Sequence, residues 1–269
     1  MNVSDLTVLA IRASLDAGEL LRHAFGTRFT IDSKPGIQNL VTECDRTAEA
    51  RIISTIRAKF PHHAILAEES GSSQSPKSDV VWMIDPLDGT VNFAHSIPIF
   101  SISIGIAING ILESGVVYHP LLHELFVAER GKGAFLNGTQ LRVSTVKDPL
   151  KALLVTGFPY NVNDNPDCCI DKFACMQHHG MPIRRMGSAA LDLSYVAAGR
   201  FDAFWEMGLH AWDVAAGGLI LQEAGGTITQ QNGSPLDIFN PTSVLATNGS
   251  LHPFMTTQLT QHHSWRGSC

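Results

Sequence analysis

The chain has 269 residues, 44% apolar and 16% charged, enough for one large domain or two closely joined ones with a substantial core. Its net charge of −6 leaves no basic excess, which argues against a dedicated nucleic-acid binder. No apolar run reaches the length of a membrane span, and the start, Met-Asn-Val-Ser-Asp, lacks the basic-then-apolar layout of a signal peptide. None of the five cysteines forms a Cys-x-x-Cys pair, and Cys168 and Cys169 are adjacent. That usage predicts no structural disulfide and fits a reducing, cytoplasmic setting.

Helical spacing of Ala10, Ile11, Ser14, Leu15, Gly18, Leu21 and Phe25 predicts a first helix over Leu6 to Phe25, stopped by Gly26. A second helix is expected from about Arg46 to Lys59, with Asp45 at its N-cap and Pro61 beyond it. Strands follow at Ala64 to Ala67, Val80 to Ile84, Ser101 to Ile108, Ile111 to Tyr118 and Glu124 to Glu129. Asn109-Gly110 is a strong hairpin signal between two of them. Gly71 to Ser78 is the one stretch of flexible composition.

Beyond about Lys147 the pattern alternates. Strands are expected at Leu153 to Thr156, Ile183 to Met186, Phe201 to Glu206, Thr227 to Thr229 and Ser243 to Ala246. Helices are expected at Asp167 to Gln177, Ala189 to Ala198 behind Ser188, Asp213 to Ala224, and about Pro253 to Leu259. The reading is an α+β half, residues 1–146, joined in one compact unit to an α/β half, residues 147–269.

Trp82 to Phe93, Trp-Met-Ile-Asp-Pro-Leu-Asp-Gly-Thr-Val-Asn-Phe, carries the most chemistry. An apolar strand runs into Asp85, then Pro86, Asp88, Gly89 and Thr90. Two carboxylates held this way suit Mg²⁺ or Mn²⁺ rather than zinc. The N–H groups around Gly89 and Thr90 are placed to face an anion if a helical turn begins there. A second apolar strand ends in Glu68-Glu69, and strand ends gather at one edge of a sheet. Asp213 opens an apolar helix, where it would serve as a cap and still offer an outer oxygen. Each feature alone has an ordinary structural explanation: a turn, a solvated strand end, an N-cap. Their coincidence favours a divalent-metal site beside a phosphate cradle. The twelve histidines include no His-Glu-x-x-His motif, and Pro120 separates His119 from His123, so zinc is not expected. Neither a nucleotide-binding Gly-x4-Gly-Lys motif nor a Gly-x-Ser-x-Gly elbow is present.

With Asp-Pro-Leu-Asp-Gly-Thr-Val-Asn-Phe at 85–93 and Trp-Asp-Val-Ala-Ala-Gly at 212–217, the chain resembles the inositol monophosphatase family over roughly residues 5 to 250. Leu-Val-Thr-Glu-Cys-Asp at 40–45, Ala-Glu-Glu-Ser at 67–70, Gly-Lys-Gly-Ala-Phe at 131–135 and Gly-Ser-Ala-Ala at 187–190 extend the likeness. The run at 184–193 is most similar to the bacterial extragenic-suppressor type. The resemblance implies a layered α-β-α-β-α sandwich of the sugar-phosphatase type. It implies two or three Mg²⁺ ions, with Mn²⁺ a substitute, on Glu68, Asp85, the Leu87 carbonyl, Asp88 and Asp213. Catalytic roles would fall to Glu68 and to Asp45 with Thr90, the pair that orders the attacking water. Substrate contacts would come from Asp88, Gly89, Thr90, Gly187, Ser188, Ala189, Glu206 and Asp213. Two departures are Ala67, where many members carry glycine, and Ser188, where some carry threonine.

The resemblance further implies metal-assisted hydrolysis of a small phosphorylated polyol, inositol monophosphate first, by a cytoplasmic, lithium-sensitive homodimer with no membrane association. Adenosine 3′,5′-bisphosphate, fructose 1,6-bisphosphate and histidinol phosphate are the alternative substrates. Asn92-Phe93 and the charge of Glu206 favour a neutral polyol over the nucleotide. A different class of function is a binding protein associated with RNA or the transcription machinery, catalysis being incidental.

Overall fold

A computed structural model describes residues 2–33, 40–73 and 78–261. Residues 74–77 of the flexible-composition stretch and the His262-His263 pair lie outside the described residues. The chain opens with helices α1 (Val3–Ala24) and α2 (Glu43–Lys59), separated by the short strands β1 (Ile31–Ser33) and β2 (Leu40–Thr42). Next come β3 (Ala64–Ala67), β4 (Gly71–Ser73), β5 (Val80–Asp88) and the single-turn helix α3 (Thr90–Ala94). An antiparallel run follows: β6 (Ser101–Ile108), β7 (Ile111–His119), β8 (Glu124–Glu129), β9 (Gly133–Leu136) and β10 (Thr139–Gln140). The second half comprises β11 (Leu154–Thr156), α4 (Cys169–His178), β12 (Ile183–Arg184), α5 (Ala189–Ala197), β13 (Ala203–Met207), α6 (Ala211–Glu223), β14 (Thr227–Thr229), β15 (Ser243–Thr247) and α7 (His252–Thr260).

Strands β1 and β2 pair with each other; the rest form an eight-stranded sheet, order β10-β9-β8-β7-β6-β5-β3-β4, and a five-stranded sheet, order β12-β11-β13-β15-β14. Three apolar cores stack between the layers. The first joins α1 and α2 to the large sheet through Leu6, Ile52, Trp82 and Ile104. The second lies between the two sheets and is filled by α5 and α6, with Leu193, Val214, Leu219 and Phe204. The third joins the small sheet to α4 and α7 through Leu154, Trp205, Met176 and Met255. The result is the expected α-β-α-β-α sandwich.

Close approach of α6 to the large sheet depends on two glycines. A Cβ on Gly105 would stand 2.6 Å from Ala215 Cβ, and one on Gly115 would stand 2.7 Å from the Ala216 carbonyl oxygen. No other residue fits there without moving the helix. The Asn109-Gly110 hairpin forms as expected, both residues at positive φ (51° and 78°).

Several boundaries differ from the sequence expectation for identifiable reasons. Helix α2 begins at Glu43 because Thr42, not Asp45, is the N-cap; Asp45 is its capping-box partner in the first turn. Helix α6 begins at Ala211 behind His210, so Asp213 also lies inside the first turn. Strand β5 runs on to Asp88, and Pro86 sits in a bulge rather than a turn, where its missing N–H removes no ladder bond. Helix α4 starts at Cys169 after a 3-10 turn at Pro166–Cys168. Cys44, Cys169 and Cys175 are free, but Cys168 is disulfide-bonded, contrary to expectation. Its neighbour Cys169 packs inward instead.

Candidate active site

Strand β5 pairs with β3 in parallel on one side and β6 antiparallel on the other. Asp85 stands opposite Ser103 and Asp88 opposite Ser101, so β5 carries one extra residue over this step. Such a bulge re-aims side chains at a sheet end. Here it lets two carboxylates emerge at the same end as Glu68, which follows β3 and donates its N–H to the Ile84 carbonyl at 3.1 Å. Asp85 is 2% exposed and takes the Leu87 N–H on Oδ1 at 2.9 Å. Gly89 then turns the chain at φ 101°, with the Ile99 and Gly187 carbonyls 3.0 and 3.1 Å from where a Cβ would lie. Both the sign of φ and the lack of room require glycine.

Asp88 is held by the start of another helix. Its Oδ2 accepts the Ser188 hydroxyl at 2.6 Å and the Ala190 N–H at 2.8 Å, and its Oδ1 accepts the Ala189 N–H at 3.3 Å. The Ser188 side chain makes no cap bond to α5; a carboxylate from β5 satisfies those N–H groups. Thus Ser188 and Ala189 bear on Asp88 first. Asp213 reaches the same region from α6, its Oδ2 accepting the His210 N–H at 2.7 Å.

Asp45 is fully buried on α2. Its Oδ2 accepts the Thr42 N–H and hydroxyl at 2.8 and 2.5 Å. Its Oδ1 lies 2.9 Å from the Thr90 hydroxyl, whose single proton is shared with the Leu87 carbonyl at 3.0 Å. These contacts join Asp45, Leu87 and Thr90 into one chain of hydrogen bonds. Burial pushes the Asp45 carboxyl upward against the pull of those donors.

The electrostatics are those of crowded anions. Burial raises the Asp85 carboxyl well above its ordinary range, and Glu68, Asp88 and Asp213 raise it further. Asp88 is pushed up to about 7 by burial and then by Asp213, its hydrogen bonds opposing. Glu206, at the end of β13, is pushed up to about 8 by burial, then by Asp213 and Asp88, with Arg185 opposing. Donors that are all hard oxygen fit Mg²⁺ or Mn²⁺ and not zinc. Among the described residues no three His, Cys, Asp or Glu side chains stand close enough together to hold a metal ion.

Some residues near the site carried no clear sequence signal. Tyr160 is 52% exposed, and its hydroxyl, raised first by burial, is raised further by Glu68, Asp213, Asp85 and Asp88. A Cβ on Gly157 would stand 2.2 Å from the Glu206 carboxylate atoms, so the glycine makes room for that side chain. Asn92, taken from sequence as a guide to substrate, is occupied elsewhere: its amide donates to the Ile99 and Met186 carbonyls, both at 2.8 Å. Phe93 is fully buried among Phe25, Phe29 and Phe100. Arg184 and Arg185 are exposed, and Arg185 lies over the Phe158 ring at 5.2 Å.

Comparison with known proteins agrees with this architecture. A model of the inositol monophosphatase family matches residues 2–264. An inositol-1-monophosphatase of Synechocystis sp. is 44% identical over 257 residues, covering 96% of this chain and 89% of that protein. The Nus factor SuhB of Escherichia coli is 46% identical over 226 residues, covering 84% and 85%. The crystal structure of extragenic suppressor protein suhB from Bartonella henselae superposes with a TM-score of 0.91 at 36% identity, covering 96% of this chain and 99% of that one. The chain belongs to the inositol monophosphatase family and is a phosphatase of that family. No helix among the described residues is long and apolar enough to cross a membrane.

Proposed function

We propose that the protein is a Mg²⁺-dependent hydrolase of small phosphorylated polyols, inositol monophosphate foremost, acting as a homodimer. What carries the reading is the gathering of Glu68, Asp85, Asp88 and Asp213 from β3, β5 and α6, where the charges acting on Asp85 are those of the other three. Glu68, Asp85, the Leu87 carbonyl, Asp88 and Asp213 would hold the ions; Mn²⁺ has the same hard-oxygen preference. Bound there, the cation supplies Lewis-acid activation of water and offsets charge on the phosphate and leaving alkoxide.

The chain's own residues do the rest. Asp45 accepts the Thr90 proton and fixes that hydroxyl at the start of α3, where it can orient the attacking water. The N–H groups of Gly89 and Thr90 open α3 and face the phosphate. Ser188 and Ala189 hold Asp88 in its orientation, and Gly187 packs behind Gly89. Glu206, in the space left by Gly157, meets the hydroxyls of the substrate. When ionised, Glu206 would disfavour a second phosphate, which favours inositol monophosphate over adenosine 3′,5′-bisphosphate or fructose 1,6-bisphosphate.

Free-phosphate release across those three substrates and histidinol phosphate, with Mg²⁺ and Li⁺ titrated, tests the assignment. Turnover of inositol monophosphate should dominate, rise with Mg²⁺ and fall with Li⁺. Preference for the nucleotide would overturn the substrate. A second role, contact with the transcription machinery, draws support from the likeness to proteins named Nus factors. Capture of that machinery by an Asp88→Asn variant as efficiently as by the wild type would separate binding from catalysis.

A further inference from the structure

Helix α2 carries two buried carboxylates four residues apart, Asp45 and Glu49, at 0% and 4% exposure. Like charges at this spacing oppose helix formation. Burying them is costly unless each is hydrogen-bonded. Each is bonded, and each reaches off the helix to the end of a different strand. Asp45 holds the Thr90 hydroxyl just past β5. Glu49 holds the backbone just past β3: its Oε2 accepts the Glu69 N–H at 2.8 Å and its Oε1 accepts the Ser70 N–H at 2.9 Å.

Both oxygens of Glu49 are thus engaged by consecutive amides, a two-point grip on the residues that follow Glu68. On the other side the Glu68 N–H is tied to the Ile84 carbonyl at 3.1 Å. Backbone at residue 68 is pinned from both directions, once by the ladder to β5 and twice by α2. Because Glu49 and Asp45 share one helix, α2 fixes one strand end relative to the other.

Resting on the metal reading above, we propose that Glu49 is a positioning residue that presents Glu68 to Mg²⁺. Its contribution requires a carboxylate. Glutamine keeps one accepting oxygen and turns an NH₂ group toward the second amide, which removes half of the grip. Aspartate keeps both oxygens on a stem one methylene shorter.

Mg²⁺ binding to the full-length protein, measured by titration calorimetry on Glu49→Gln, Glu68→Gln and the double variant, tests the proposal. Circular dichroism and thermal melts report the fold, and phosphate release is followed in parallel. Glu68→Gln should weaken Mg²⁺ binding. Glu49→Gln should weaken it by about tenfold, the scale on which residues supporting a metal ligand act, and kcat at saturating Mg²⁺ should fall far less. The double variant should bind no more weakly than Glu68→Gln alone, because Glu49 acts through Glu68. Wild-type Mg²⁺ affinity in Glu49→Gln, or full additivity of the two losses, overturns the proposal. Unchanged affinity in Glu68→Gln would instead overturn the metal role of Glu68 on which it rests. Should Glu49→Gln not fold, Glu49→Asp decides: weakened Mg²⁺ binding supports the proposal and wild-type affinity overturns it.

Discussion

Asp88 does two jobs with one side chain: it caps α5 and faces the other site carboxylates. Asp88→Asn keeps an accepting oxygen for the α5 amides but loses the charge. The variant should fold, while Mg²⁺-dependent phosphate release falls on the order of a hundredfold or more, the scale of losing one preorganised electrostatic contact. Gly157→Ala probes Glu206 from outside, since the atoms nearest the added Cβ are the far end of that side chain. We expect KM for the polyol phosphate to rise about tenfold, some 1.4 kcal/mol, with the melting temperature nearly unchanged. Glu206 also sets a pH dependence. Its carboxyl titrates at about 8 in the folded chain against an ordinary value of 4.5. Between those values the folded state holds the extra proton, so stability falls as pH rises through that window. Without metal, Glu206→Gln should therefore be more stable than wild type at pH 8, by up to about 4 kcal/mol, and equal to it near pH 4, as read by urea denaturation. The acids were legible in the sequence because two separate apolar strands each end in carboxylates and the motifs around them resemble those of a known family. Gly157, Tyr160 and Glu49 were not, because a glycine that makes room, a tyrosine that feels the site acids and a buried glutamate owe their meaning to neighbours distant in the chain.

Elements were predictable where their reason was local. The Asn109-Gly110 hairpin, β3, β6 and β8 lie where the alternation and turn residues put them. The helix starts slipped because capping-box residues look like caps: Asp45 and Asp213 each sit three residues inside, returning a bond to the residue before the helix. At α2 that reciprocity also orients Asp45 toward Thr90. Thr42→Ala should cost about 1–2 kcal/mol of stability, typical of a lost N-cap, measurable by chemical denaturation. It should also lower phosphate release, since Asp45 loses the Thr42 hydroxyl as well. Short strands such as β1, β4 and β10 left no sequence signature, because two or three residues are too few for a periodicity to register.

The five-layer order of the whole molecule came from family resemblance and not from periodicity, since neither the strand order nor the helix-to-sheet contacts are encoded locally. Three separate regions supply the site, so ion binding would link them. At a Mg²⁺ concentration a hundred times its Kd, stabilisation of about 2.7 kcal/mol is expected, which for a chain of this size raises the melting temperature by about 5–10 °C. Excess chelator should reverse the rise, and calorimetric scans would show both. The regions are unequally anchored. Asp85 and Asp88 end a nine-residue strand flanked on both sides, and Asp213 stands on a helix seated directly on glycine backbone. Glu68 instead adjoins a four-residue strand beside the three-residue edge strand β4. The two bonds from Glu49 oppose opening at that margin, so the amides of residues 69 and 70 should exchange with deuterium faster in Glu49→Gln than in wild type. Of the three regions, the one least anchored by its sheet is therefore the one that borrows its hold from a neighbouring helix.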